Sequence, residues 1–261
     1  MVVISSDQRE IIFDAVEAMY TSVARDPGRG YHFPTGRSAC EYVGYPADLL
    51  DRLPATAVES FAGVGYPFAA GVLRVGDTVL DIGSGSGTDL LAAALMVGQD
   101  GRALGVDMTE AMRDKALRNA RAGGFANVEV FDGNAERLPL RDESVDVITS
   151  NGVINLVPDK RCAIAEMHRV LRPGGWVQIA DIVVDDLPSE ACRSKPQLWA
   201  ECIVGATTQA DYLEMFTAAG FTAVEHLGDL DYFAASSSPS TRTTAGGFGA
   251  HSMVMRARKP E

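Results

Sequence analysis

A short apolar run leading straight into a glycine-spaced turn, Val79-Leu80-Asp81-Ile82-Gly83-Ser84-Gly85-Ser86-Gly87, constrains the fold of this chain more than any other feature. The run has the length and composition of a strand buried on both faces, interrupted only by Asp81. The turn lets backbone approach a ligand closely, because residues without Cβ leave that space open. From Gly76 the pattern alternates. Strands are expected at 78–82, 103–107, 127–131, 145–150 and 175–182, and helices over 88–97, 109–122 and 159–171. Thr109 is the expected N-cap of the second helix, Gly123 its stop, and Pro158 belongs to the first turn of the third. Such alternation requires right-handed crossovers, hence an α/β fold with a mostly parallel sheet and helices on both faces.

The flanks read differently. Residues 7–25 predict an amphipathic helix with Ile11, Ala15, Ala18, Met19 and Val23 as its apolar stripe, opened by a capping box at Ser5–Gln8 or Asp7–Glu10. Pro and Gly punctuate residues 26–36, and short helical pieces fit near 46–52 and 55–62. Five of the seven Tyr and four of the ten Phe fall in the first 70 residues. After 185 the alternation weakens. A helix near 208–219, with Thr208–Asp211 as a capping pair, precedes stretches at 221–234 and 248–258 that predict a final antiparallel pair. Ser236 to Gly247 reads as a mobile, low-complexity loop. No internal repeat is evident.

A formal charge of −12 over 261 residues argues against a nucleic-acid partner, which calls for a basic face. The N-terminus lacks the pattern of a secretory signal, and no apolar run approaches the ~20 residues that span a bilayer. Cys40, Cys162, Cys192 and Cys202 lie far apart without a C-x-x-C pair, so neither a disulfide framework nor a metal site is expected. A cytoplasmic protein that binds neither membrane nor nucleic acid, as monomer or homodimer, is the simplest expectation.

The dinucleotide fingerprint G-x-G-x-x-G finds Gly83 and Gly85 here, but Thr88 at its third glycine position. Asp107 closes the second strand about 20 residues further on, where an acid can accept hydrogen bonds from ribose hydroxyls. Together with Asp81, Gly105-Val106-Asp107, Asp132-Gly133-Asn134-Ala135-Glu136-Arg137-Leu138-Pro139-Leu140 and Leu171-Arg172-Pro173-Gly174-Gly175-Trp176, the array resembles the class I S-adenosylmethionine-dependent methyltransferases over residues 76–182. The resemblance implies their Rossmann-like sheet and S-adenosylmethionine as cofactor. Asp81 would face its ammonium, the backbone of Gly83, Ser84, Gly85 and Gly87 its carboxylate, and Asp107 its ribose. Met108 and Met112 would flank the adenine, with the Asn134-Ala135-Glu136 turn reading its edge and Ser150 at the fourth strand's end. Residues 1–70 would then form an aromatic-rich cap over the active site, 71–185 the cofactor-binding core, and 186–261 the part that completes the sheet and the acceptor pocket.

A narrower resemblance covers residues 60–220. Val106-Asp107-Met108-Thr109, Ser150-Asn151-Gly152-Val153-Ile154-Asn155-Leu156-Val157-Pro158-Asp159-Lys160 and Trp199-Ala200-Glu201-Cys202-Ile203-Val204-Gly205-Ala206 are similar to arsenite methyltransferases. That family gathers arsenic with cysteine thiolates. This chain has Gly152 and Val64 at two of the cysteine positions and keeps Cys202 at a third. Soft trivalent arsenic wants two or three thiolates. The expectation is therefore methyl transfer to a different small-molecule acceptor, with arsenite or another metalloid, or binding without turnover, as alternatives. Tyr31, His32, Phe33 and Tyr66 from the cap, with Asn151, Gly152 and Cys202, are the expected acceptor surroundings. Among them His32 and Tyr31 are the candidate catalytic groups. Gly152, in place of a larger residue, is expected to open room for a bulkier acceptor.

Overall fold

The computed structural model describes residues 5–188 and 203–261. Its strands are β1 (Thr78–Ile82), β2 (Arg102–Asp107), β3 (Val128–Asp132), β4 (Val145–Asn151), β5 (Leu171–Val184), β6 (Thr207–Thr208), β7 (Thr222–Leu230) and β8 (His251–Arg258). They form one sheet in the order β3-β2-β1-β4-β5-β8-β7, with β6 paired to β5. β1 to β5 run parallel, while β8 is antiparallel to both β5 and β7. From β1 the chain steps outward one way to β2 and β3, then returns to place β4 and β5 on the other side. A crevice opens at such a reversal, beyond the carboxyl ends of the strands.

Nine α-helices lie among the described residues: α1 (Ser6–Arg25), α2 (Gly36–Tyr42), α3 (Ala47–Leu50), α4 (Ala55–Val58), α5 (Thr88–Val97), α6 (Glu110–Ala122), α7 (Lys160–Val170), α8 (Gln209–Ala218) and α9 (Pro239–Phe248). Alternation along β1 divides the core. Val79 packs with Ile12 and Val16 of α1, the short helices, and Leu91 of α5. Leu80 and Ile82 face the other way, towards Ile164 and Met167 of α7 and Tyr212 and Phe216 of α8.

Ser5 and Gln8 make the capping box of α1: Gln8 N donates to Ser5 Oγ at 3.3 Å, and Ser5 N to Gln8 Oε1 at 3.0 Å. The buried stripe is shifted from the expected one. Ile12, Val16 and Val23 are buried, while Ile11 is 46% exposed. Fully burying an Ile or Val contributes about 1.5–3 kcal/mol, more than the small Ala15 and Ala18 could offer, so the larger residues set the helix phase. Pro158 lies just outside α7, whose N-cap is Asp159, its carboxylate accepting from Cys162 N at 2.9 Å. The supposed loop over 236–247 is largely helix α9. Ser238 caps it by accepting from Thr241 N, Pro239 occupies the first turn, and Ala245 is buried against the core. No helix among the described residues is long and apolar enough to cross a membrane.

Candidate active site

A cavity of about 960 Å³, counting the space at its mouth, fills the crevice between β1 and β4. Its floor is Asp81 to Ser86, the strand end and the glycine turn. Gly83, at φ 72°, could not carry a side chain there, because a Cβ would collide with Val153. Asp107, Met108 and Met112 from β2 and α6 form one wall with Gly133, Asn134 and Ala135. Asn151, Gly152, Val153, Leu156 and Val157 form the opposite end, and Phe13, Val16 and Tyr20 of α1 close the top.

The turn's own hydrogen bonds are largely internal. Gly83 N and Ser84 N donate to Val106 O, Gly85 N to Asp107 Oδ2 at 2.8 Å, and Gly87 N to Ser84 O. These N–H groups are therefore spent on the protein, against the expectation that they face a ligand carboxylate, and Ser84 Oγ is buried without a partner over Gly105 of β2. Ser86 and Thr88 hydroxyls both donate to Ala57 O, fixing the turn against α4.

Three carboxylates face this space, and no Lys, Arg or His stands among its described lining residues. Asp81 is 2% exposed, and its Oδ2 has no hydrogen-bond partner. Burial, then the nearby charges of Asp89 and Asp107, hold it well above the usual carboxylate range. Asp89, in the first turn of α5, is pushed up to about 6 by burial, against the bonds it accepts from Tyr45 and Asn151. Burial also raises Asp107, opposed by Thr109 N and Gly85 N, each donating at 2.8 Å. The Asp107 carboxylate keeps lone pairs for a ligand hydroxyl beside these bonds.

A buried carboxylate oxygen left unpartnered, as Asp81 Oδ2 is, is costly unless a cation or donor arrives. The donor set thus fits a ligand with an ammonium and a sulfonium, and it repels a pyrophosphate. Apolar walls at Met108 and Met112 suit a flat ring.

Of the sequence candidates, Asp81, Gly83, Ser84, Gly85, Asp107, Met108, Met112, Asn134, Ala135, Asn151 and Gly152 line the cavity. Gly87 is the N-cap of α5 just behind it. Ser150 is fully buried beneath β4's tip rather than lining it. Glu136 turns away, accepting from Arg9 and, at 2.7 Å, from Asp159 N. The four cap candidates also stand outside. Tyr31 Oη donates to Asp26 O, and its ring stacks on Phe33, which in turn stacks behind Tyr20. His32 packs edge-on against Phe33, and its carbonyl accepts from Ser236 Oγ at 2.6 Å. Tyr66 packs on Tyr45, ring centroids 4.7 Å apart. These aromatics hold the cap together, so His32 and Tyr31 lose their place as catalytic candidates. Cys202 lies outside the described residues. None of the described residues after Val157 lines the cavity.

Gly152 opens no room. At φ 72° its missing Cβ would lie 3.1 Å from Val64 Cγ1, so Val64 already takes that space. Sequence reasoning missed Asp89, Tyr45 and the α1 residues. Asp89's only signal was an acid in a helix first turn, which ordinarily means no more than a favourable dipole contact.

A family model described as a methyltransferase domain matches residues 73–220. An arsenite methyltransferase of Halobacterium salinarum is 41% identical over 191 residues, covering 73% of this chain and 49% of that protein. One from Aquipseudomonas alcaligenes is 37% identical, covering 71% and 56%. The chain thus spans about half the length of these relatives. The crystal structure of an arsenic(III) S-adenosylmethionine methyltransferase from Chlamydomonas reinhardtii matches with a TM-score of 0.65 at 32% identity, covering 87% of this chain and 75% of that one. With that match in sequence and fold, the chain belongs to the class I S-adenosylmethionine-dependent methyltransferases and is related to the arsenite methyltransferases.

Proposed function

We propose that the protein transfers the methyl group of S-adenosylmethionine to a small-molecule acceptor by in-line displacement. One observation carries this: Asp81, buried with its Oδ2 unpartnered, shares with Asp107 a cavity whose described lining has no basic side chain. In this reading Asp81 faces the ammonium, Asp107 the ribose, and Met108, Met112, Asn134 and Ala135 the adenine. Residues 1–70 are the cap, 71–185 the cofactor core, and 186–261 the completion of the sheet. A cytoplasmic monomer or homodimer without nucleic-acid or membrane partners accords with the free Cys40 and Cys162 and with the net charge of −12.

Arsenite is the second reading, favoured by identity to arsenite methyltransferases. Against it, Val64 and Gly152 stand together where thiolates would be needed, and neither can bind soft arsenic. Calorimetry with S-adenosylmethionine, its demethylated product and NAD tests the main reading. The first two should bind and NAD should not. Asp107→Ala should weaken cofactor binding by about 1–3 kcal/mol through lost charged hydrogen bonds. NAD binding in preference to the sulfonium would refute it.

A further inference from the structure

Beyond the cofactor half of the cavity, one carboxylate has no role in holding the cofactor. The titratable groups among the described lining residues are Asp81, Asp89, Asp107 and Tyr20. Asp107 is committed to the β2 end by Thr109 N and Gly85 N, and Asp81 accepts from the backbone of Leu90 in α5 with its Oδ2 unpartnered. A neutral phenol such as Tyr20 cannot take up a proton near pH 7. Asp89 remains. It is tied to the acceptor end by Asn151, whose Nδ2 donates to Asp89 Oδ2 at 3.0 Å, while Tyr45 Oη donates to Asp89 Oδ1.

Asn151 fixes that end rigidly. Its Oδ1 accepts from Val64 N at 2.7 Å and Gly65 N at 3.2 Å, and its Nδ2 also reaches Gly65 O at 2.9 Å. With its polar atoms spent on the protein, Asn151 positions rather than receives. Around Asp89 the other ionisable neighbours are Tyr45, Tyr66, Cys40 and Asp81, all neutral or acidic. An anionic acceptor would meet only repulsion here, and a metalloid would find no thiolate among the described lining residues.

Resting on the methyl-transfer reading, we infer that Asp89 is the proton acceptor of the reaction and that the substrate is a small apolar hydroxyl or amine compound, neutral or cationic. Asp89 takes the proton from the acceptor's O–H or N–H. The electron pair freed on that atom forms the bond to the methyl carbon as the carbon–sulfur pair leaves with sulfur. The proton then passes from Asp89 to solvent, restoring the carboxylate. Burial keeps Asp89 near about 6, close enough to neutrality for it to exchange a proton in each turnover.

The test separates the two levels. Calorimetry with S-adenosylmethionine alone comes first; failure to bind there sinks the methyl-transfer reading itself. With the protein saturated by the demethylated cofactor, phenethylamine, 4-ethylphenol, 3-phenylpropionate and arsenite are then titrated as probes. The amine or the phenol should bind at least about tenfold more tightly than the carboxylate. Tighter binding of 3-phenylpropionate or arsenite, or binding of none, overturns the inference. Asp89→Asn should lower turnover of the bound probe by at least about 100-fold while the cofactor's Kd stays within about fivefold. Tyr45→Phe removes a bond that favours the ionised carboxylate, so it should move the acid limb of the kcat/KM profile to higher pH. Asp89→Asn activity within threefold of wild type, or an unmoved limb in Tyr45→Phe, overturns the assignment, and the second outcome decides alone if Asp89→Asn does not fold.

Discussion

At the residue scale, the readable part of the site was the part built from neighbours in sequence. Asp81, the glycine turn and Asp107 announce themselves through spacing, because the tips of two paired strands and one turn bring them together. Asn151 could be named as a lining residue, but its work could not. Its partners Tyr45, Val64, Gly65 and Asp89 come from three separate segments, and only the folded cap brings them within hydrogen-bond distance. Gly152 misled for the same reason: its neighbour Val64 is remote in sequence. Asn151→Ala strands Val64 N, Gly65 N and Gly65 O, and buried polar groups without partners cost about 1–3 kcal/mol. Urea unfolding should show a loss of that size. Asn151→Asp should lose more at pH 8 than at pH 5, since it sets a second carboxylate against Asp89. An equal loss at both pH values would remove Asp89 from this network.

Elements were legible wherever hydrophobic period and end signals agreed. The core strands and α5 to α8 fall within a few residues of their expected spans, since parallel strands buried on both faces leave little freedom in register. Composition failed at α9. A Ser, Thr and Gly-rich stretch looks like a linker, but Ser238 at the cap, Pro239 in the first turn and Gly249 in a left-handed conformation after the end make it a helix. For α1 the capping box was readable and the phase was not, because packing selects the face. That face puts Phe13, Val16 and Tyr20 over the cavity, while Arg9 pairs with Glu136 and Lys115 Nζ donates to Ala24 O at 3.2 Å. If ligand leaves past α1, the Arg9–Glu136 pair is a latch on that route. Arg9 is 33% exposed, so its pair contributes at most about 1 kcal/mol. Arg9→Ala should raise the cofactor's dissociation rate by about two- to fivefold in stopped-flow displacement. High salt should reproduce the effect on the wild type and add little to the variant. A rate unchanged in Arg9→Ala would exclude the pair as a latch.

Across the whole molecule, buried carboxylates link the site to stability with opposite signs. Asp89, at the cavity, and Asp181, which accepts from Tyr212 Oη and Asn155 N at 2.9 Å each, are both raised to about 6, chiefly by burial. A carboxyl whose folded pKa exceeds its unfolded value keeps its proton in the fold after the unfolded chain has lost it. Each such group therefore lowers stability as pH rises from about 4 through about 6, by on the order of 3 kcal/mol at most. His168 opposes this, because burial and Lys259 lower its pKa and its contribution grows with pH. Comparing variants removes that overlap. From pH 5 to 7, Asp181→Asn should gain on the wild type by about 1–2 kcal/mol in chemical unfolding. A gap that stays constant would mean Asp181 titrates normally. The cavity runs the other way. A cation seated against Asp81 favours its ionised form, so cofactor binding should tighten as pH rises and release protons on the way. Calorimetry at pH 6 in two buffers of different ionisation enthalpy should find that release. Proton uptake near pH 6 would mean that the bound group beside Asp81 is an anion.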